Sequence, residues 1–135
     1  MDNLKRTQHK TWAEIDILAL QSNLRSIRTA IGDERQIILV VKSDAYGHGA
    51  GTVASVASAM GVKHFAVASV DEGAQLRRAD LAGEILLLHP PLDFEVPAVI
   101  QWRLSPTVSD EATAQILSRN AQGATVPVHV EINTG

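Results

Sequence analysis

The chain has 135 residues, enough for one compact domain with a real core, and its 45% hydrophobic and 20% charged residues exclude a disordered or membrane-embedded polymer. A formal net charge of −3 and only 4% aromatics supply neither the basic face nor the stacking platform of a nucleic-acid binder. Cysteine is absent, which removes disulfides, thiolate nucleophiles and cysteine metal sites.

The opening MDNLKRTQHKTWAEID lacks the apolar stretch of a secretory signal. No run approaches the roughly 18 apolar residues of a membrane span, so a cytoplasmic location is expected. Residues 12–17, WAEIDI, alternate as a short strand. From Leu18 the period changes: Leu20, Leu24, Ile27 and Ile31 fall on one helical face, and Gly32 stands where the helix should stop. Residues 37–42, IILVVK, form a β-branched run too continuous for either face to meet water, as in a parallel sheet. A glycine turn then leads into a helix over 51–60, closed by Gly61.

HFAVAS, 64–69, reads as the next strand, with Asp71 as N-cap of DEGAQLRRA. EILLLH, 84–89, is a third strand ended by Pro90 and Pro91, and a short helical turn limited by Pro97 is expected across 92–100. RLSPTV, 103–108, is a fourth strand, with Pro106 expected at its end or on an unpaired edge. Ser109 is placed to cap DEATAQILSRNAQ, and VPVHVEI, 126–132, is a fifth strand.

Alternation of strands and helices predicts parallel strands joined by right-handed crossovers, in an open doubly wound sheet or a (β/α)8 barrel. A barrel needs eight strands and about 250 residues. Five such strands are present and the last leads straight into EINTG, so the expected fold is α/β, a partial TIM-type barrel truncated before closure.

QIILVVKSDAYGHGAG, 36–51, carries the densest chemistry. Gly47, Gly49 and Gly51 follow a strand and open a helix, where backbone N–H groups and the helix dipole favour a phosphate. Asp71 lies where a dinucleotide fold places its ribose acid, but Thr52 stands where the third glycine of G-x-G-x-x-G belongs, and a Walker loop is excluded. Lys42 ends a parallel strand, on one face with Ile38 and Val40, where burial would make a neutral amine available for Schiff-base chemistry. The alternative is a lysine whose stem covers apolar surface while its charge stays in water. Tyr46 follows one turn on, with a phenol able to donate to a phosphate. His9, His48, His64, His89 and His129 make no paired-ligand motif; His129 and Glu131 share a strand face, as metal ligands or as a polar interior pair, and no metal is expected.

VVKSDAYGHGA resembles the pyridoxal-phosphate lysine motif of the alanine racemase family, V-K-A-[DN]-A-Y-G-H-G. TWAEIDILALQSNL, HFAVASVDEGAQLR and ILLLHP resemble that family's successive units in order and spacing, and VPVHVEINTG resembles the lead-in to its D-T-G-M-x-R-x-G segment. The resemblance implies that Lys42 holds pyridoxal 5'-phosphate as a Schiff base and moves the α-proton on the D-alanine face. It implies that Tyr46 contacts the phosphate and that Leu88 lies beside the cofactor, where core packing is the plainer alternative. Residues 1–17 would then hold an opening strand that packs on a C-terminal domain absent from this chain, and 18–135 an incomplete barrel domain.

Ser43 replaces the usual alanine and Asn133 the aspartate. The family's arginine, cofactor histidine and opposite-face tyrosine fall outside these residues. The reading is a homodimeric isomerase interconverting L- and D-alanine for peptidoglycan, with this chain an inactive fragment, and with no nucleic acid or membrane as partner. A racemase of serine or another small amino acid, a non-catalytic cofactor binder and a dinucleotide oxidoreductase are the rivals.

Overall fold

The computed structural model describes residues 11–135; His9 and the rest of the first ten residues lie outside that range. The strand expected at 12–17 has no partner among the described residues: residues 11–16 enter no ladder, and helix α1 occupies Ile17–Ile31. Its start is set by Asp16, whose carboxylate accepts the Ala19 N–H at 3.0 Å. Of the face read from sequence, Leu24 enters the core, Leu20 packs against it, and Ile27 stays exposed.

Strand β1 (Ile38–Val40) is followed by a tight turn over Lys42–Gly47 and helix α2 (Ala50–Ala59). β2 (His64–Val67), α3 (Val70–Arg78), β3 (Glu84–Leu87), α4 (Val96–Gln101), β4 (Ser105–Val108), α5 (Glu111–Asn120) and β5 (His129–Val130) complete the order. The five strands pair in parallel in the order β1-β2-β3-β4-β5. That order runs one way without reversal, which is barrel winding; a doubly wound dinucleotide fold needs a reversal. The Rossmann rival falls on topology.

The helices cover one face of this sheet. Phe65, Val67, Ile85 and Leu87 are buried there against Val53 and Ala57 of α2, Leu76 of α3 and Val99 of α4. Alanines in α2 let it sit close to the sheet, with Ala54 and Ala57 fully buried. The opposite face would line a barrel interior and is open along β1, where Ile38 is 48% and Val40 37% exposed. The expectation that this run avoids water on both faces therefore holds only on the helix side. β5 is two residues long rather than seven, and Val130 is exposed.

Three local expectations are corrected. Ser69, not Asp71, caps α3, through a bond from the Glu72 N–H to Ser69 Oγ at 3.2 Å. Asp110, not Ser109, caps α5 by accepting the Thr113 N–H at 2.8 Å. Pro106 lies inside β4 between β3 and β5, fully buried. β5 pairs only from Thr107 onward, so the ladder needs no donor from Pro106 on that side.

Candidate active site

The C-terminal end of β1 does not simply run into a glycine loop. The ladder extends one residue, with Val41 N–H donating to Ala66 O at 2.8 Å, and Val41 is buried on the helix side. Lys42 therefore lies just past the strand and not within it. Ser43, Asp44, Ala45 and Tyr46 then take φ of 52, 54, 52 and 55°, a complete left-handed turn built from non-glycine residues.

Such a conformation costs about 1–2 kcal/mol per residue, or roughly 4–8 kcal/mol for the four. Side-chain carboxylates offset it. Glu72 Oε1 accepts the Ser43 N–H at 2.7 Å and its Oε2 accepts the Ala68 N–H at 2.7 Å. Asp44 Oδ1 accepts the Ala50 N–H at 2.7 Å. Two of these bonds hold the turn itself, at about 1.5–3 kcal/mol each, and offset much of the strain. Gly47 and Gly49 end the turn at φ of 84 and 85°. His48 bonds to Ala45 O through Nδ1 at 3.0 Å, a local structural role.

One part of the phosphate expectation changes here. The first N–H of α2, at Ala50, is occupied by Asp44 and so is not open to a phosphate. Gly51 falls inside α2 rather than in the turn.

Lys42 is half-buried, and among the described residues its ammonium makes no hydrogen bond or ion pair. Tyr46 follows at the spacing of one turn and is 62% exposed, its phenol facing solvent. Leu88 is half-buried beyond β3, where its N–H donates to Val67 O at 2.9 Å. The strand ends thus bring a free amine, a free phenol and an apolar side chain to the same end of the sheet. An amine without a partner and an exposed phenol on the same turn are of the chemical types that an aldehyde carrying a phosphate needs.

At the other end of the strands the inner face is polar. Glu84 accepts from His64 Nδ1 at 2.9 Å and from His129 Nε2 at 2.9 Å, joining the first residues of β2, β3 and β5. The His129 bond first, and then those of Ser105 and His64, hold the Glu84 carboxyl below the ordinary carboxylate range against the opposing effect of burial. His129 is thus engaged by Glu84, and Glu131 is exposed.

Residues 15–135 match the family described as alanine racemase, N-terminal domain. The chain belongs to that family. It is 38% identical over 133 residues to the alanine racemase of Nostoc sp., covering 93% of this chain and 34% of that protein. The alanine racemase of Halothermothrix orenii is 39% identical over 133 residues, covering 97% of this chain and 35% of the relative. The solved alanine racemase of Clostridium difficile 630 superposes with a TM-score of 0.91 at 36% identity, over 94% of this chain and 34% of that one. The chain spans about a third of the length of the curated relatives it matches. Five parallel strands with barrel winding agree with that partial coverage.

Glu72 and Asp44 escaped the sequence reading. The first had a visible signal, since Ser69-Val70-Asp71-Glu72 is an S-x-x-E capping pattern. The second had none beyond its place in the motif.

Proposed function

We propose that this chain supplies the lysine-bearing part of an alanine racemase site, in which Lys42 holds pyridoxal 5'-phosphate and transfers the α-proton of alanine. The observation that carries the reading is Lys42 itself: half-buried, without a partner among the described residues, directly after a strand at the active-site end of a barrel-wound sheet. Pyridoxal phosphate supplies the electron sink that makes an amino-acid α-proton removable.

The protein's own residues do the rest. The Nζ of Lys42 would hold the cofactor through its aldehyde and, when freed, would serve as the base that takes or returns the α-proton on one face. The Tyr46 phenol would donate to the cofactor's phosphate. Leu88 would supply apolar surface beside the cofactor. Alanine is the proposed substrate because the named relatives are alanine racemases. A cytoplasmic homodimer working for peptidoglycan supply is the setting that goes with it.

The test is chemical trapping. The chain is mixed with pyridoxal phosphate, reduced with borohydride and mapped by mass spectrometry, with circular dichroism on the same sample. Label concentrated on Lys42 and lost in Lys42→Ala is expected; a folded chain labelled evenly on Lys42 and Lys63 would sink the proposal. The chain by itself is expected to turn over alanine at least about tenfold more slowly than an intact racemase, since one proton donor on one face cannot complete the reaction. An enantiomer-exchange assay decides that.

A further inference from the structure

Glu72 has an unusual reach for a residue in the third position of a helix. In an ordinary capping box its carboxylate would return to the N–H of the cap residue, Ser69. Instead one oxygen takes the Ala68 N–H and the other crosses to the Ser43 N–H, both at 2.7 Å. Ser43 is the residue after Lys42, and Ala68 is the residue after β2. A single carboxylate therefore ties the loop leaving β1 to the loop leaving β2.

The hold is exerted from behind. Glu72 lines a small cleft with Val41, Asp44, Ala50 and Val67, and Val41 and Val67 belong to the helix-facing side of the sheet. It thus acts on the backbone of the turn from the face opposite the open one. Its own conformation is fixed at the root, because its N–H donates to Ser69 Oγ.

We propose that Glu72 is a positioning residue for Lys42: by clamping the first N–H of the left-handed turn it sets where the lysine side chain leaves the backbone. Without it, Ser43 loses the only side-chain partner of its N–H among the described residues, and the turn is free to relax toward right-handed or extended backbone. Lys42 would then point along a distribution of directions, and a near-attack geometry would be rare. The inference rests on the reading of Lys42 given above, and it concerns how that lysine is aimed rather than what it does.

The experiment measures the ratio of borohydride-trapped pyridoxyl label on Lys42 to that on Lys63, in the 135-residue chain and in Glu72→Ala, Glu72→Gln and Glu72→Asp. Circular dichroism checks each for folding. Losing both bonds in Glu72→Ala should reduce the Lys42:Lys63 ratio about tenfold or more. Glu72→Gln keeps one acceptor oxygen and should recover part of the ratio, which general destabilisation of a still-folded chain would not produce. Hydrogen exchange on the unmutated chain needs no variant to fold: the Ser43 amide should be protected. A ratio in folded Glu72→Ala within twofold of the parent chain, or a Ser43 amide exchanging as fast as an open-loop amide, overturns the clamp alone. A parent chain with no preference for Lys42 overturns the function reading, and the aiming role with it.

Discussion

The two ends of the strands are built on opposite terms. At the N-terminal end Arg77, Arg78 and Glu84 are engaged by the helix-to-strand connections and the strands they enter. Arg77 donates to Trp102 O, Leu81 O, Gly83 O and Arg103 O at 2.8–3.0 Å, Arg78 lies over the Trp102 ring, and Glu84 joins two histidines. At the C-terminal end a non-glycine left-handed turn stores strain, Lys42 has no partner among the described residues, and Tyr46 and Phe94 are exposed. Barrel enzymes divide stability and chemistry in this way between their two faces. The difference teaches which substitutions should lower stability alone and which should disturb the lysine.

The largest effect is expected at Arg77. Its guanidinium stitches the end of α3 to the connections entering β3 and β4, and burial first and then the nearby charge of Arg103 lower its pKa without removing its charge. Arg77→Ala would leave four carbonyls short of a donor, and at about 1.5–3 kcal/mol for each bond to a charged group, heavily non-additive, a loss of about 3 kcal/mol is expected. Urea denaturation measures it. In the folded baseline the label ratio at Lys42 should be unchanged; a changed ratio would mean that the two ends are coupled and the division is false.

Asp44 probes the opposite end. Its carboxylate caps α2 through Ala50 while its own backbone is left-handed. Asp44→Ala should cost about 1–2 kcal/mol, the usual price of a lost helix cap. Unlike Arg77→Ala, it should also reduce trapping at Lys42 severalfold in a fully folded sample. Trapping at the parent level after a confirmed loss of stability would place Asp44 with the structural group.

How much of this was legible beforehand depended on whether the cause was local. The strand-helix alternation, the Gly61 stop and the place of Lys42 at a strand mouth all followed from pattern and turn chemistry. The turn after Lys42 was not legible, since Ser-Asp-Ala-Tyr does not specify a run of positive φ and the carboxylate that holds its first N–H, Glu72, lies 29 residues on in the chain. Pro106 was misplaced for a related reason. The rule confining proline to edges assumes a ladder bond on both sides, and β5 pairs with β4 only from Thr107 onward. The strand expected at residues 12–17 enters no ladder among the described residues, because alternation shows which residues suit a strand and not what pairs with it.

The smallest effect, and the finest test of the stability end, is Glu84. Because its hydrogen bonds lower its pKa on folding, the stabilisation it gives is fully present above the ordinary glutamate value of about 4.3 and fades as pH falls through the lowered folded value. Glu84→Gln removes that dependence, so parent and variant should differ most near neutrality and converge in acid. The side chains are part-exposed, at 30% for Glu84 and 41% for His129, so solvent screening keeps the neutral-pH difference to about 1 kcal/mol or less. Denaturation midpoints from pH 3 to pH 7 read the convergence. A gap that stays constant across that range would show that the carboxylate's charge is not what joins β2, β3 and β5; a gap that closes in acid, with Lys42 labelling in Glu84→Gln equal to the parent's at neutral pH, would keep the two ends of the sheet separate.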